Sequence, residues 1–187
     1  DEPWSHLDST LRDTVRDTIH NIQQQLGITM LFVTHDQVEA RSVAGRIAVM
    51  FDGQIQQIAS PDSLYTQPAN EQIARFLGIV NIFTGRQHGN CIESALGELQ
   101  VVAPQTASNG EAKFIVPTTA ITICEDVSHM NNRQARIVLQ KHRGNLIRYQ
   151  LQVNGITLYM DRLRPLKQQV DETISIHIIP EHIKVIS

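Results

Sequence analysis

Cysteine is nearly absent: two residues in 187, Cys91 and Cys124, with no C-x-x-C pair between them. That excludes a disulfide framework, and free thiols in a reducing cytoplasm are the simpler reading. Aromatic residues make up only 5% of the chain, and of these only Tyr149 and Tyr159 lie near its most basic stretch, too few to stack successive bases of a nucleic acid. The net charge of −3 and a pI near 6.2 likewise argue against an electrostatic grip on nucleic acid. No apolar run approaches the ~18 residues of a membrane-spanning helix. No basic-apolar-small leader opens the chain, so any link to a membrane is expected to pass through a partner. The eight histidines are scattered, and even His177 and His182 match none of the usual zinc-ligand spacings. Also missing is G-x-x-x-x-G-K-[ST], the loop whose backbone N–H groups and lysine cradle the β and γ phosphates of a nucleotide.

What is present is a run from Thr29 to Asp36 in which apolar and β-branched residues lead straight into Thr34-His35-Asp36. This is the pattern of a buried strand that delivers a histidine to a sheet edge, where ligands of open α/β sheets bind. Asp1-Glu2, followed by Pro3, reads as the end of another such strand. An acid pair and an imidazole at neighbouring strand ends suit phosphoryl chemistry: one carboxylate for magnesium, one to orient water, and the imidazole for the terminal phosphate.

Asp1-Glu2-Pro3-Trp4-Ser5-His6-Leu7-Asp8, the helical stretch after it and Val33-Thr34-His35-Asp36-Gln37 resemble the second half of the nucleotide-binding subunit of an ABC importer. The family's order there is Walker B aspartate, catalytic glutamate, D-loop, helix and switch histidine. The rest of the chain resembles the C-terminal TOBE domain of the sugar, polyamine, iron and oxyanion importers. The resemblance implies an α/β partial P-loop NTPase half-domain over residues 1–78 and an all-β, OB-like TOBE barrel over 79–187. The Q-loop and the LSGGQ-like signature are missing, as the phosphate loop is. The resemblance also implies roles: Asp1 holding Mg²⁺ through water, Glu2 as general base, Asp8 in the D-loop that reaches across a dimer to the nucleotide, and His35 on the γ-phosphate of ATP. Implied partners are membrane-spanning permease subunits, a second copy of the ATPase subunit and, indirectly, a solute-binding protein, with the subunit cytoplasmic on the inner face of the membrane. His6 and Trp4 depart from the small residue and the Phe or Leu usual in the family's D-loop region.

Local patterns predict the remaining elements. Leu11, Val15, Ile19, Ile22 and Leu26 recur at helical spacing and Gly27 supplies a stop. Asp36 can cap a short helix that Gly45 closes. Asp52-Gly53 joins Ile47 to Phe51 and Gln54 to Ala59 as a hairpin. Ser60-Pro61 opens one short helix and a second runs from about Asn70 to Leu77, ended by Gly78. From Ile79 onward the texture changes to short strands, with candidates at 82–87, 98–102, 113–116, 135–141, 145–153, 156–161 and 173–179, the Asn154-Gly155 pair making another hairpin. Phe114 to Pro117 leading to Ile121 echoes Ile176 to Pro180 leading to Ile183, a weak internal repeat.

Two expectations concern what the chain can do alone. Without the strands that should flank residues 29–34, Met30, Leu31, Phe32 and Val33 lose cover at roughly 1.5 to 3 kcal/mol each, which approaches the ~5 to 15 kcal/mol stability of an ordinary domain. The first part is therefore expected to be mobile, rearranged or covered by another chain. Lys141, His142, Arg143, Arg148, Arg162, Arg164 and Lys167 read first as a solvated strand face. The rival functions are a non-catalytic regulatory module in which the barrel binds a small anion, and, ranked below it, a single-strand nucleic-acid groove on an OB-like barrel.

Overall fold

The amphipathic register of residues 9–26 forms helix α1, Ser9–Leu26, and Gly27 ends it at φ +61°, its N–H donating to the Gln23 carbonyl at 2.9 Å. A computed structural model describes residues 9–102, 110–125 and 128–186, with backbone alone at 9–13, 16, 17 and 20. It divides into two units, residues 1–68 and 69–187.

In the first unit the expected strand over 29–34 is absent: residues 28–34 carry no regular secondary structure. No strand among the described residues pairs with them, the loss of cover anticipated from the sequence, and Leu31 is 93% and Val33 61% exposed. Asp36 caps α2, Gln37–Val43, its carboxylate accepting from the N–H groups of Val38 at 2.8 Å and Glu39 at 3.2 Å. The helix is closed by Ala44 in an extended conformation, not by Gly45. The hairpin forms as its turn chemistry requires: β1, Ile47–Phe51, pairs antiparallel with β2, Gln54–Ala59, through Asp52 at φ +50° and Gly53 at φ +74°. Helix α3, Pro61–Thr66, follows with Ser60 as N-cap. Among the described residues of this unit only Val49 and Leu64 are buried hydrophobics, while Met50, Ile55 and Ile58 stand exposed. Local signals form its elements, and very little core binds them together.

The second unit holds nearly the whole core. Helix α4, Glu71–Phe76, is capped by Asn70 and ended at Gly78, φ +77°. It packs through Ala74 on Ile115 and Ile186, and Glu71 pairs with Lys113. Ten strands follow: β3 Ile82–His88, β4 Cys91–Ser94, β5 Gly97–Gln100, β6 Gly110–Ile115, β7 Ile121–Ile123, β8 Asn132–Arg143, β9 Leu146–Val153, β10 Ile156–Arg162, β11 Thr173–Ile178 and β12 Lys184–Ile186. They make two five-stranded antiparallel sheets, ordered β5-β4-β3-β6-β12 and β10-β9-β8-β11-β7.

The two orders are the same motif written twice, each half lending its last short strand to the other sheet. Val116-Pro117 and Ile179-Pro180, each followed by a 3₁₀ turn, carry the chain across. The ladder Ile115–Lys184, Phe114–Val185, Lys113–Ile186 is matched by Ile178–Ile121, His177–Thr122, Ile176–Ile123. The weak repeat in the sequence is thus an exchange of strands about an approximate two-fold, and proline is placed where the backbone must leave one ladder and join the next.

Two buried asparagines complete the closure. Asn81 gives its side-chain amide to the Tyr159 carbonyl at 2.6 Å and accepts from the Tyr159 N–H at 2.8 Å, while its own carbonyl accepts from Val116 N–H at 3.0 Å. Asn131 repeats the device on Gln100: its amide donates to the Gln100 carbonyl at 3.0 Å and the Ile178 carbonyl at 2.9 Å, and its oxygen accepts from Gln100 N–H at 2.7 Å. Each thereby imitates one residue of strand and seals an edge, β10 or β5, that would otherwise present bare backbone groups. Asn131→Ala strands three such partners, and the expected cost is about 2 to 4 kcal/mol; chemical unfolding followed by circular dichroism would measure it, and an unchanged midpoint would remove the asparagine from this role.

Between the sheets, Phe114, Ile137, Tyr149, Leu151, Leu158, Met160 and Ile176 are fully buried. Gly97, at φ +90°, is held under the Arg133 side chain, whose atoms lie 3.1 Å from where a Cβ would be. The Arg133 guanidinium donates to the carbonyls of Leu96, Glu98, Met130 and Asn132, which fastens the β4–β5 turn to the start of β8.

Candidate functional site

His35 occupies a bend between the extended segment and α2 and is exposed. Its neighbours hold the bend. The Thr34 hydroxyl donates to the buried Glu39 carboxylate at 2.7 Å and accepts from the Asp36 N–H at 3.0 Å, while Asp36 is committed to the first turn of the helix. Helix α2 is itself tied to α3: the Tyr65 hydroxyl donates to Gln37 at 3.2 Å and the Arg41 guanidinium lies 4.3 Å from the centre of the Tyr65 ring. The flanking residues bond to one another across the bend, and His35 is exposed within it. Asp1, Glu2 and Asp8 lie outside the described residues, so the structure places only His35 of the four site residues expected from the sequence.

The basic stretch of the second unit divides on inspection. Arg148 on β9 and Asp161 on β10 are opposite one another and form a two-pronged ion pair, Nε to Oδ1 at 2.8 Å and Nη2 to Oδ2 at 2.7 Å. The Thr118 hydroxyl, in the proline corner after β6, adds a bond to Asp161 at 2.8 Å. The side chains are 18% and 7% exposed. Burial pushes the Asp161 carboxyl up, but the hydrogen bonds of Arg148 and Thr118 and the charges of Arg148 and Arg143 outweigh it and hold the group below its ordinary value. Bonding to Asp161 likewise raises the Arg148 guanidinium against the opposing effect of burial. Arg148 is therefore structural and not part of a solvated face. The signal was available: a two-residue hairpin at Asn154-Gly155 fixes the register that sets residue 148 against 161.

Lys141, Arg143, Arg162, Arg164 and Lys167 have no ion-pair partner among the described residues. Neither Cys91 nor Cys124 forms a disulfide and both are half-buried, and burial, with the Glu98 charge beside it, pushes the Cys91 thiol up, so it has no activated character. No group of three metal-ligating side chains is assembled among the described residues. Nor is any helix among them long and apolar enough to cross a membrane.

The chain has relatives among import ATP-binding proteins. The Fe(3+) ions import ATP-binding protein FbpC of Photobacterium profundum is 52% identical over 86 residues, 46% of this chain and 24% of that protein. The sulfate/thiosulfate import ATP-binding protein CysA of Methylococcus capsulatus is 34% identical over 152 residues, 81% of this chain and 42% of that protein. This chain is a relative of the ATP-binding subunits of ABC importers. With a CysA of Bacillus cereus the similarity runs end to end, 29% identity over 191 residues covering 99% of this chain and 53% of the relative. The chain spans about half or less of the length of the curated importer subunits it matches. No family model matches it. A solved molybdate-bound structure of the cytoplasmic molybdate-binding protein ModG aligns with 56% of this chain and 94% of its own, at a TM-score of 0.44 and 17% identity. Among the described residues the second unit, with its two five-stranded sheets, holds nearly all of the buried core.

Proposed function

We propose that this chain supplies the Walker B, D-loop and switch-histidine part of a subunit that hydrolyses ATP to drive import of a small solute, together with its TOBE-like unit. The observation that carries the reading is the exposed position of His35 in a bend whose flanks are fixed by the bonds of Thr34, Asp36 and Glu39. Similarity to import ATP-binding proteins over nearly the whole chain supports it.

In this reading His35 donates a hydrogen bond to the γ-phosphate as negative charge shifts on its oxygens, Glu2 orients and deprotonates the attacking water, and Asp8 reaches the nucleotide across a dimer of two copies. Asp1 would hold Mg²⁺, whose contribution is to neutralise charge between the β and γ phosphates. An exposed imidazole can meet a phosphate, but no residue run in the chain forms the loop that would cradle one. That cradle belongs to other residues of the assembly. Permease subunits in the membrane are the partners through which hydrolysis would be coupled, and the subunit would lie on their cytoplasmic side.

Calorimetry tests the division of labour. Titration of this chain alone with ATP and Mg²⁺ is expected to give no saturable heat, because the contacts that dominate phosphate binding are not on it. Tight nucleotide binding by the isolated chain would overturn the assignment.

A further inference from the structure

The cations left over by the Arg148–Asp161 pair gather at one end of the second unit. Register sets Arg143 against Leu146 and Arg162 against Ile147. The tip of the β8–β9 hairpin and the chain leaving β10 therefore end side by side. Lys141 and Arg143 come from the hairpin; Arg162, Arg164 and Lys167 come from β10 and the loop after it. Asp161 is the one acid in these two segments, and it is consumed by Arg148 and Thr118.

Two further features indicate what this end is built to meet. The Arg162 Nε is buried and donates to nothing, a condition the structure tolerates at few polar atoms. Between Arg162 and Arg164, Leu163 is 71% exposed. Arginine together with an exposed large aliphatic residue is the composition of protein interfaces, whereas nucleic-acid grooves add aromatic platforms. Here Tyr149 is fully buried and its hydroxyl accepts from the Leu166 N–H at 2.9 Å, so it offers no face to a base. The neighbouring Arg148 already shows the planar fork gripping a carboxylate at this end of the sheet.

We propose that this end of the β-rich unit, centred on Arg162, Leu163 and Arg164, docks an acidic polypeptide segment. Carboxylates of that segment meet the outer guanidinium nitrogens of Arg143, Arg162 and Arg164 and the Lys167 ammonium, and an apolar side chain covers Leu163.

The test uses the full chain and a fluorescein-labelled peptide of glutamates with interspersed leucines, read by anisotropy at rising salt. Binding is expected to be saturable and to weaken with salt. The double reversal Arg164→Glu with Lys167→Glu, both at exposed positions, is expected to weaken it by about tenfold or more, and Leu163→Ser by several-fold, with thermal melting unchanged in either variant. Arg162→Gln is expected to weaken it with no compensating change in salt dependence at the other cations. No peptide binding, or binding that ignores the charge reversals, would overturn the proposal. So would tighter binding of phosphatidylglycerol vesicles or of a single-stranded oligonucleotide than of the peptide at matched charge, since either would mean a polyanion surface of another kind.

Discussion

His35→Ala is expected to lower ATP turnover by roughly two to three powers of ten in the assembled transporter, while ATP affinity changes only a few-fold. The split follows from where the imidazole acts. Ground-state affinity rests on the phosphate cradle, which this chain does not contain, whereas a donor aimed at the γ-phosphate gains strength as charge moves onto it. The bonds that fix the flanks of the bend do not use the imidazole: Thr34 bridges Glu39 and the Asp36 N–H, and Asp36 caps α2. Loss of turnover would then report the missing imidazole and not a collapsed bend. Single-turnover hydrolysis beside nucleotide binding separates the two, and turnover within about threefold of the parent would remove His35 from the reaction. On the proposed roles Glu2→Gln should cost roughly two to four powers of ten by the same assay, because water activation has no substitute.

Arg148→Met should destabilise the β-rich unit by about 3 kcal/mol, the lower end of what is lost when one partner of a buried ion pair is removed. The lower end is apt because Arg148 keeps some contact with water. What remains is a carboxylate at 7% exposure with only the Thr118 hydroxyl bonded to it. The pH dependence supplies a second readout with opposite signs in the two proteins. In the parent, the folded Asp161 carboxyl lies below its ordinary value, so its contribution is complete above the unfolded value of about 3.9 and is lost as the pH falls through the lower folded value. In Arg148→Met, burial is no longer outweighed and the folded value rises. Protonation then relieves the buried charge, and stability should increase as the pH falls from neutral toward about 4. Denaturant midpoints would show it: between pH 4 and 7 the variant gains stability as the pH falls while the Asp161 contribution in the parent stays constant, and the parent loses that contribution only below about 3.9. A joint Arg148→Met, Asp161→Leu variant is expected to recover most of the loss, since two apolar groups make no demand for partners.

How much could be read in advance varied with the range of the interaction. The elements joined by turn and cap chemistry came out where the residues put them: α1 to Gly27, the Asp52-Gly53 and Asn154-Gly155 hairpins, and the capped starts at Asp36, Ser60 and Asn70. Within four residues the backbone has few choices, and Gly, Pro, Asn and Asp name them. Short strands were harder. Cys91–Ser94 and Lys184–Ile186 carry too few alternating residues to stand out, and they exist because a neighbouring strand offers a ladder. The reverse holds at 29–34, where a strand-like run forms no strand among the described residues. A strand is half of an interaction, and its residues describe only their own half.

The sequence by itself determined the family resemblance, the order of motifs ending in His35 and the division into a helix-rich start and a β-rich remainder, because motif identity, charge and local backbone preference are all written in neighbouring residues. Tertiary structure alone decided that the two halves of the β-rich unit exchange their last strands. It decided that Asn81 and Asn131 act as single residues of strand, that Arg148 is spent on Asp161, and that Arg162 is left with a buried donor. The strand exchange and the asparagine and arginine bonds join positions 13 to 78 residues apart, and burial, which sets the worth of a charge or an amide, is a property of the packed sheets and of no stretch of chain within them.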